Sequence, residues 1–231
     1  MAADRSKGTT TAARKPNRPT NAARERAKAV QDAKRRNIRN TVISVAVAAA
    51  VGAGLYGIFQ HGNSSKAAAY TVGSPGIGAA APSFDLPSSA GGDLSLASLK
   101  GKTVLLYFQE GLTCQPCWDQ MSDLEKNAAA VKAAGVDQVV SVTSDPVAQI
   151  TQKTSDMHLA TPVLSDPDLA VSKQYSANNY GMMGASRDGH TFVLVGPDGT
   201  IRWRADYGGA PDYTMFVPTS QLLADLKAGE K

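Results

Sequence analysis

Both cysteines of this 231-residue chain lie in one tetrapeptide, Cys114-Gln115-Pro116-Cys117. It directly follows the apolar run 103–108 (TVLLYF) and precedes a stretch with apolar residues at helical spacing, Met121, Leu124 and Val131. No other feature constrains the fold as much. A buried strand must feed a helix N-terminus that carries two sulfurs, and no further cysteine exists to build a disulfide framework around a small fold. The pair therefore serves local chemistry. A first cysteine at a helix start meets unpaired N–H groups and the positive end of the macrodipole, which favour thiolate over thiol. Pro116 has no N–H to leave unsatisfied, and its fixed φ suits the first turn. Cys114 is the candidate nucleophile of a thiol–disulfide exchange, and Cys117, one turn in and more buried, the candidate resolving thiol. The plainer alternative is a structural disulfide or two inert thiols. Structural zinc would need more ligands, and the chain has neither a second Cys pair nor a closely spaced His pair.

Charge divides the chain. The net charge is +4, but residues 1–40 hold 12 Lys and Arg against 3 Asp and Glu, so the remainder is acidic at −5. A basic tail on an acidic body argues against nucleic acid as a partner of the body. Residues 1–40, without a sustained apolar face, read as a disordered basic tail. Residues 41–60 follow as a single transmembrane helix, because 41–59 (TVISVAVAAAVGAGLYGIF) is uncharged and about long enough to cross a bilayer. The basic residues before it predict a cytoplasmic N-terminus and an extracytoplasmic C-terminal part. A cleaved signal peptide, ending near Ala67 and Ala69, is the rival reading. Residues 61–80, rich in Gly, Ser, Ala and Pro, read as a flexible spacer, and 81–231 as the folded domain.

Within that domain the expected order is a short strand at 84–86, a strand at 103–108, a helix over 118–134, a strand at 136–142 and helices over 146–157 and 168–175. A hairpin of 190–195 and 200–205 across Gly196-Pro197-Asp198-Gly199 follows, then a helix over 219–227. This is an α/β pattern with a mixed sheet.

The segments 81–108 (APSFDLPSSAGGDLSLASLKGKTVLLYF), 113–117 (TCQPC) and 190–201 (HTFVLVGPDGTI) resemble the redoxin branch of the thioredoxin superfamily, the AhpC/TSA and TlpA-like proteins. The resemblance spans about residues 81–227. It implies a thioredoxin-like fold, a central mixed β-sheet flanked by helices, with the two cysteines at the start of the helix after the first central strand. Relative to the TlpA type, Thr113 stands where Trp precedes the first Cys, and Gly189-His190-Thr191 where a cis-Pro precedes the late strand. The peroxiredoxin pattern Pro-x-x-x-Thr-x-x-Cys is met in neither register. Cys117 as the last residue puts Glu110 and Cys114 at the Pro and Thr places, and Cys114 puts Tyr107 and Gly111 there. Thiol peroxidase therefore ranks third among the readings.

The leading expectation is a membrane-tethered, extracytoplasmic thiol-disulfide oxidoreductase that needs no cofactor beyond a redox-active Cys114–Cys117 disulfide. Its partners are protein thiols or disulfides and an electron donor that is membrane-borne or thioredoxin-like. The competing class is a binding protein. The run 190–199 (HTFVLVGPDG) resembles the His-containing strand of Sco-type copper proteins, so Cys114, Cys117 and His190 form a candidate soft copper site. An ordinary strand-start histidine and a tuner of the dithiol are the other roles for His190. Glu110 is a candidate proton carrier or else an exposed loop carboxylate. Pro116 and Trp118 are candidate substrate-facing residues, Trp118 either shielding the loop or offering a flat surface. Met182 and Met183 either cap a core or meet a substrate. Arg202, Trp203 and Arg204 read as an ordinary outer strand.

Overall fold

The computed structural model describes residues 70–229, together with Lys28 and the exposed helical residues 34–36. The chain divides into two units, Met1–Lys66 and Ala67–Lys231. Among the described residues no helix is long and apolar enough to cross a membrane. The expected span 41–60 and most of the basic tail lie outside them.

A small antiparallel hairpin, β1 (Asp85–Pro87) with β2 (Asp93–Ser95), precedes the main sheet. The sheet has five strands in the order β5-β4-β3-β6-β7. They are β3 (Val104–Phe108), β4 (Gln138–Thr143), β5 (Val163–Ser165), β6 (Thr191–Val195) and β7 (Ile201–Asp206). β3 runs parallel to β4, and β4 to β5, whereas β6 is antiparallel to both β3 and β7. This is the mixed sheet that the sequence predicts. All five residues of β3 are buried, as a continuous apolar run demands when a sheet is covered on both faces.

Leu105, Tyr107, Phe192 and Leu194 face three helices: α1 (Gln115–Lys126) through Met121 and Leu124, α3 (Val147–Asp156) through Ile150, and α5 (Thr219–Gly229) through Leu222 and Leu226. Leu106, Phe108, Val140 and Val193 face the other way, onto Phe84, Leu99 and the region of α4 (Ala170–Gln174), where Val171 and Tyr175 pack.

Local chemistry explains where the sequence reading and the structure part. The expected helix 118–134 is two helices, α1 and α2 (Ala128–Ala133). At the break, Asn127 Nδ2 donates to Asp123 O at 2.8 Å and to Asp123 Oδ1 at 3.1 Å, a side-chain competitor for helical hydrogen bonding. β5 carries too short an apolar run to stand out. Residues 70–80, placed by composition in the spacer, lie along the sheet. Thr71 bridges Asp206, Gly78 N donates to Ile201 O at 2.8 Å, and Ile201 N donates to Ala79 O at 2.9 Å. Gly and Pro content makes a run look like a tether, yet here its backbone groups have partners on β7.

Candidate functional site

β3 ends at Phe108 and the chain turns through residues 109–113 into α1. Gly111 holds φ +84° in this turn, in a spot where a Cβ would collide with Asp145 and Thr143, so the turn requires glycine. Asp145, just beyond the end of β4, pins it from below: Leu112 N donates to Asp145 Oδ2 at 2.6 Å and Thr143 Oγ1 donates to the same oxygen at 3.1 Å. The turn lies at the carboxyl ends of parallel β3 and β4, the edge where open α/β sheets place their sites.

Cys114 is the N-cap of α1 and Pro116 sits in its first turn, as the sequence predicts. Cys114 and Cys117 are joined as a disulfide with Cα atoms 5.4 Å apart. Cys117 N donates to Cys114 Sγ at 3.3 Å, a bond that would stabilise a thiolate there once the disulfide is reduced. Cys114 retains 7% of its surface and Cys117 none, so only the first sulfur's residue reaches the rim. Met215 packs against both.

Trp118 is fully buried, and its Nε1 donates to Gly111 O at 3.0 Å. It braces the turn and does not present a flat surface to a partner. Lys153 lies 5.6 Å from the centre of its ring and donates to Gln115 Oε1 at 3.4 Å. Glu110 is 5% exposed and so is not a solvated loop carboxylate. Its Oε1 accepts from Met182 N and, at 3.0 Å, from Met183 N. A carboxylate holding two amides is a structural clamp, and the two methionine side chains that it presents are exposed, at 65% and 51%, rather than core caps. Arg187 Nη1 reaches across to Glu110 O at 3.0 Å and Asp145 Oδ1 at 2.9 Å.

His190 is fully buried. Tyr107 opposes Phe192 in the β3–β6 register and stacks on it at 4.5 Å. His190, two residues before Phe192, shares that face beneath the start of α1. The His190 Nδ1 and Tyr107 hydroxyl are hydrogen-bonded at 2.9 Å, and the same hydroxyl donates to Cys117 O at 3.5 Å. Burial lowers the imidazole pKa to about 3 and drives the Tyr107 phenol well above its ordinary value, with the nearby Glu110 charge adding to the rise. Both groups are neutral at physiological pH.

Among the described residues no three His, Cys, Asp or Glu side chains are gathered to hold a metal ion. The copper set of Cys114, Cys117 and His190 is not assembled here: the sulfurs are bonded to each other and the ring spends Nδ1 on Tyr107. Among the described residues the cis X-Pro bonds are Ser74–Pro75 and Ala210–Pro211, neither of them before β6.

The sequence reading brought Cys114, Pro116, Cys117, Trp118, Glu110 and His190 forward, and the fold gathers all six around one turn. It missed Tyr107, Asp145 and Arg187. A phenol inside an otherwise aliphatic run and an acid just past a parallel strand were the available signals.

The chain matches the AhpC/TSA family over residues 77–204. It is 34% identical over 127 residues to a putative peroxiredoxin of Mycobacterium tuberculosis, covering 52% of this chain and 78% of that one. Against peroxiredoxin Bcp of Escherichia coli it is 31% identical over 124 residues, covering 52% and 79%. Among solved structures, peroxidoxin BcpB from M. tuberculosis superposes with a TM-score of 0.55 at 19% identity, covering 66% of this chain and 96% of that one. A reduced 2-Cys peroxiredoxin of Plasmodium vivax gives 0.55 at 21%, covering 66% and 80%. The two sequence relatives carry peroxiredoxin names, the class that the missing Pro and Thr residues rank third among the readings. With the sheet order and the placement of Cys114 at a helix start, the matches identify the chain as a thioredoxin-like redoxin that belongs to the AhpC/TSA family.

Proposed function

We propose that this chain is a thiol-dependent redox enzyme whose working centre is the Cys114–Cys117 pair, and that disulfide exchange with a protein is the reaction its geometry supports best. One observation carries this reading: two bonded sulfurs in the first turn of a twelve-residue helix, the outer residue at the rim and the inner one fully buried. In the reduced enzyme the Cys114 thiolate attacks one sulfur of a substrate disulfide, and the departing substrate sulfur takes the electron pair and a proton. Cys117 then loses its proton and attacks Cys114 Sγ, the mixed disulfide breaks, and the second substrate sulfur leaves as a thiol. The substrate gains two electrons and two protons, and the enzyme is left as the disulfide. The reverse sequence oxidises a substrate dithiol. Reductase turnover draws electrons from a membrane carrier or another thioredoxin-like protein. The uncharged run 41–60 anchors the chain in the cell membrane, with the basic tail in the cytoplasm and the redoxin unit, from about residue 70 onward, outside it.

The peroxiredoxin relatives favour a second reading, thiol peroxidase. There the Cys114 thiolate attacks the O–O bond, giving a sulfenic acid and, after proton uptake, an alcohol or water. Cys117 condenses with the sulfenic acid, releasing water and forming the same disulfide. The two readings share both cysteines and differ in the oxidant.

The experiment uses the full-length chain in detergent, reduced and then mixed with one equivalent of hydrogen peroxide or of a disulfide-bonded protein, with oxidation followed by Trp fluorescence. Rapid reaction with the protein disulfide and only the slow oxidation of an ordinary thiol by peroxide supports exchange; the opposite preference makes the chain a peroxidase. Cys114→Ser abolishes either reaction, and retained turnover in that variant would sink both readings. Addition of one equivalent of Cu(I) tests the binding-protein alternative: a dithiol couple abolished by copper that requires His190 would replace the enzyme with a copper carrier.

A further inference from the structure

His190 and Tyr107 are buried polar side chains that neither reaction above employs. The Tyr107 hydroxyl has two neighbours, His190 Nδ1 at 2.9 Å and Cys117 O at 3.5 Å, and a single proton to give. If that proton went to Nδ1, the Cys117 carbonyl contact would be two acceptors facing each other. If Nδ1 carries its own proton, it donates to the tyrosine oxygen and the tyrosine donates onward, so both contacts become hydrogen bonds at once. His190 Nε2 is buried with no hydrogen-bond partner among the described residues. Burying Nε2 as a bare acceptor or as an N–H leaves one orphan in either tautomer, so the Tyr107 side decides between them.

The ring has little freedom to choose otherwise. Its backbone N donates to Tyr180 O at 2.8 Å, and its backbone O accepts from Tyr207 N at 2.9 Å and Gly208 N at 3.1 Å. Its edge meets the rings of Tyr107 and Phe192 at centroid distances of 5.0 and 5.3 Å.

We propose that His190 is a positioning residue for the Cys117 half of the dithiol, acting as the Nδ1–H tautomer at the head of a donor chain, His190 to Tyr107 to the Cys117 carbonyl. The proposal deepens the dithiol reading and rests on it. The chain aims the positive ends of two successive bond dipoles at the peptide of the resolving cysteine, among fully buried side chains. Charge that develops on sulfur when the disulfide opens is stabilised there relative to the closed state. The chain thus favours the reduced enzyme and fixes the first turn of α1, while no proton leaves the imidazole.

The test uses the full-length protein labelled with ¹⁵N at histidine. In the wild type, the ¹⁵N shifts of His190 should show a protonated Nδ1 and an unprotonated Nε2, unchanged between pH 5 and 8. In glutathione titrations, Tyr107→Phe and His190→Leu should each disfavour the reduced form by about threefold to tenfold, the span of one net hydrogen bond. The double variant should add little to either. His190→Asn, whose side-chain N–H can replace Nδ1–H, should recover most of the loss. An Nε2–H tautomer overturns the proposal, and this readout needs no variant to fold. So does a Tyr107→Phe protein that folds and keeps the wild-type equilibrium. A wild type with no reversible dithiol couple overturns the dithiol reading itself and the role of His190 with it. A normal couple beside an Nε2–H ring overturns only the donor chain.

Discussion

Two buried carboxylates, Asp206 and Asp188, lie near the start of strand β6, Asp206 paired with its first residue Thr191 and Asp188 in the loop that leads into it, and the chain treats them in opposite ways. Asp206, at the end of β7, has every oxygen engaged. Arg204 Nε donates to Oδ2 at 2.9 Å and Arg204 Nη2 to Oδ1 at 2.9 Å. Thr191 Oγ1 donates to Oδ1 at 2.8 Å and Gly73 N to Oδ2 at 2.6 Å. Both partners of this ion pair have fully buried side chains. Asp188, two residues before His190, is equally buried, yet neither of its oxygens has a partner among the described residues. Burial raises its pKa well above the carboxylate range; Asp166 and Asp145 push it further, while Arg187 and the Ser172 hydroxyl pull it back. That hydroxyl gives its own proton to Asp166 Oδ2 at 2.6 Å. One site keeps a charge by surrounding it with donors; the other keeps its carboxyl neutral. A paired buried charge makes a fixed joint, here between the strap at 71–76 and β7, and an unpaired one makes stability depend on pH.

The most damaging way to break the contrast is Arg204→Leu. It would strand Asp206 as an uncompensated buried carboxylate and remove the donor to Pro75 O at 3.2 Å. The expected loss is about 3–5 kcal/mol in denaturant unfolding. A loss under about 1 kcal/mol would mean that the pair does not fasten the strap. Replacing both residues by apolar ones of similar size should recover much of the loss, since removing a buried pair entire is often near neutral.

The second prediction concerns Asp188→Asn. A carboxyl whose folded pKa is raised stays protonated in the native state while the unfolded chain releases its proton above about pH 3.9. Wild-type stability from this group is therefore fully present below that pH, and it is lost as pH rises toward the folded pKa. Asparagine cannot ionise, so the variant should match the wild type near pH 4 and exceed it progressively toward pH 8. The difference in Tm should be at least about 2 °C, the smallest shift that a 1 kcal/mol change gives in a domain of this size. Parallel Tm curves across that range would show that Asp188 is not held neutral.

The same contrast explains what the sequence could and could not disclose. β3, the CxPC turn and the β6–β7 hairpin were legible because strand composition, Pro116 at a helix start and a Pro-Asp-Gly turn are local signals. Residues 202–204 lie in the outer strand that the sequence predicts, but the alternation of Arg202 and Arg204 with Trp203 gives no sign that Arg204 is buried. Arg202 is exposed, whereas Arg204 is buried beneath the strap at 71–76 and beside the Tyr180 ring. The strap's own Gly and Pro content makes it read as part of a tether. The dithiol's place was readable and the state of its neighbours was not. Whether Glu110 meets water or two amides depends on a loop 72 and 73 residues away, and whether His190 meets sulfur or a phenol depends on a strand pairing that brings Tyr107 across 83 residues.

Glu110 stands between the two aspartates, being buried like both but held by backbone amides and not by a cation on its carboxylate. Glu110→Gln keeps an acceptor for Met182 N and Met183 N while removing the charge that strengthens both bonds. Global stability should change by less than about 1 kcal/mol, the smallest effect of the three. Local opening should respond more clearly. Amide exchange at Met182 and Met183 should accelerate about threefold to tenfold, while the β3 and β6 amides, which exchange only through deeper opening, stay as they were. Unchanged exchange at those two amides would mean that Arg187, bonded to Glu110 O and Asp145, holds the loop beside the dithiol without help from the carboxylate.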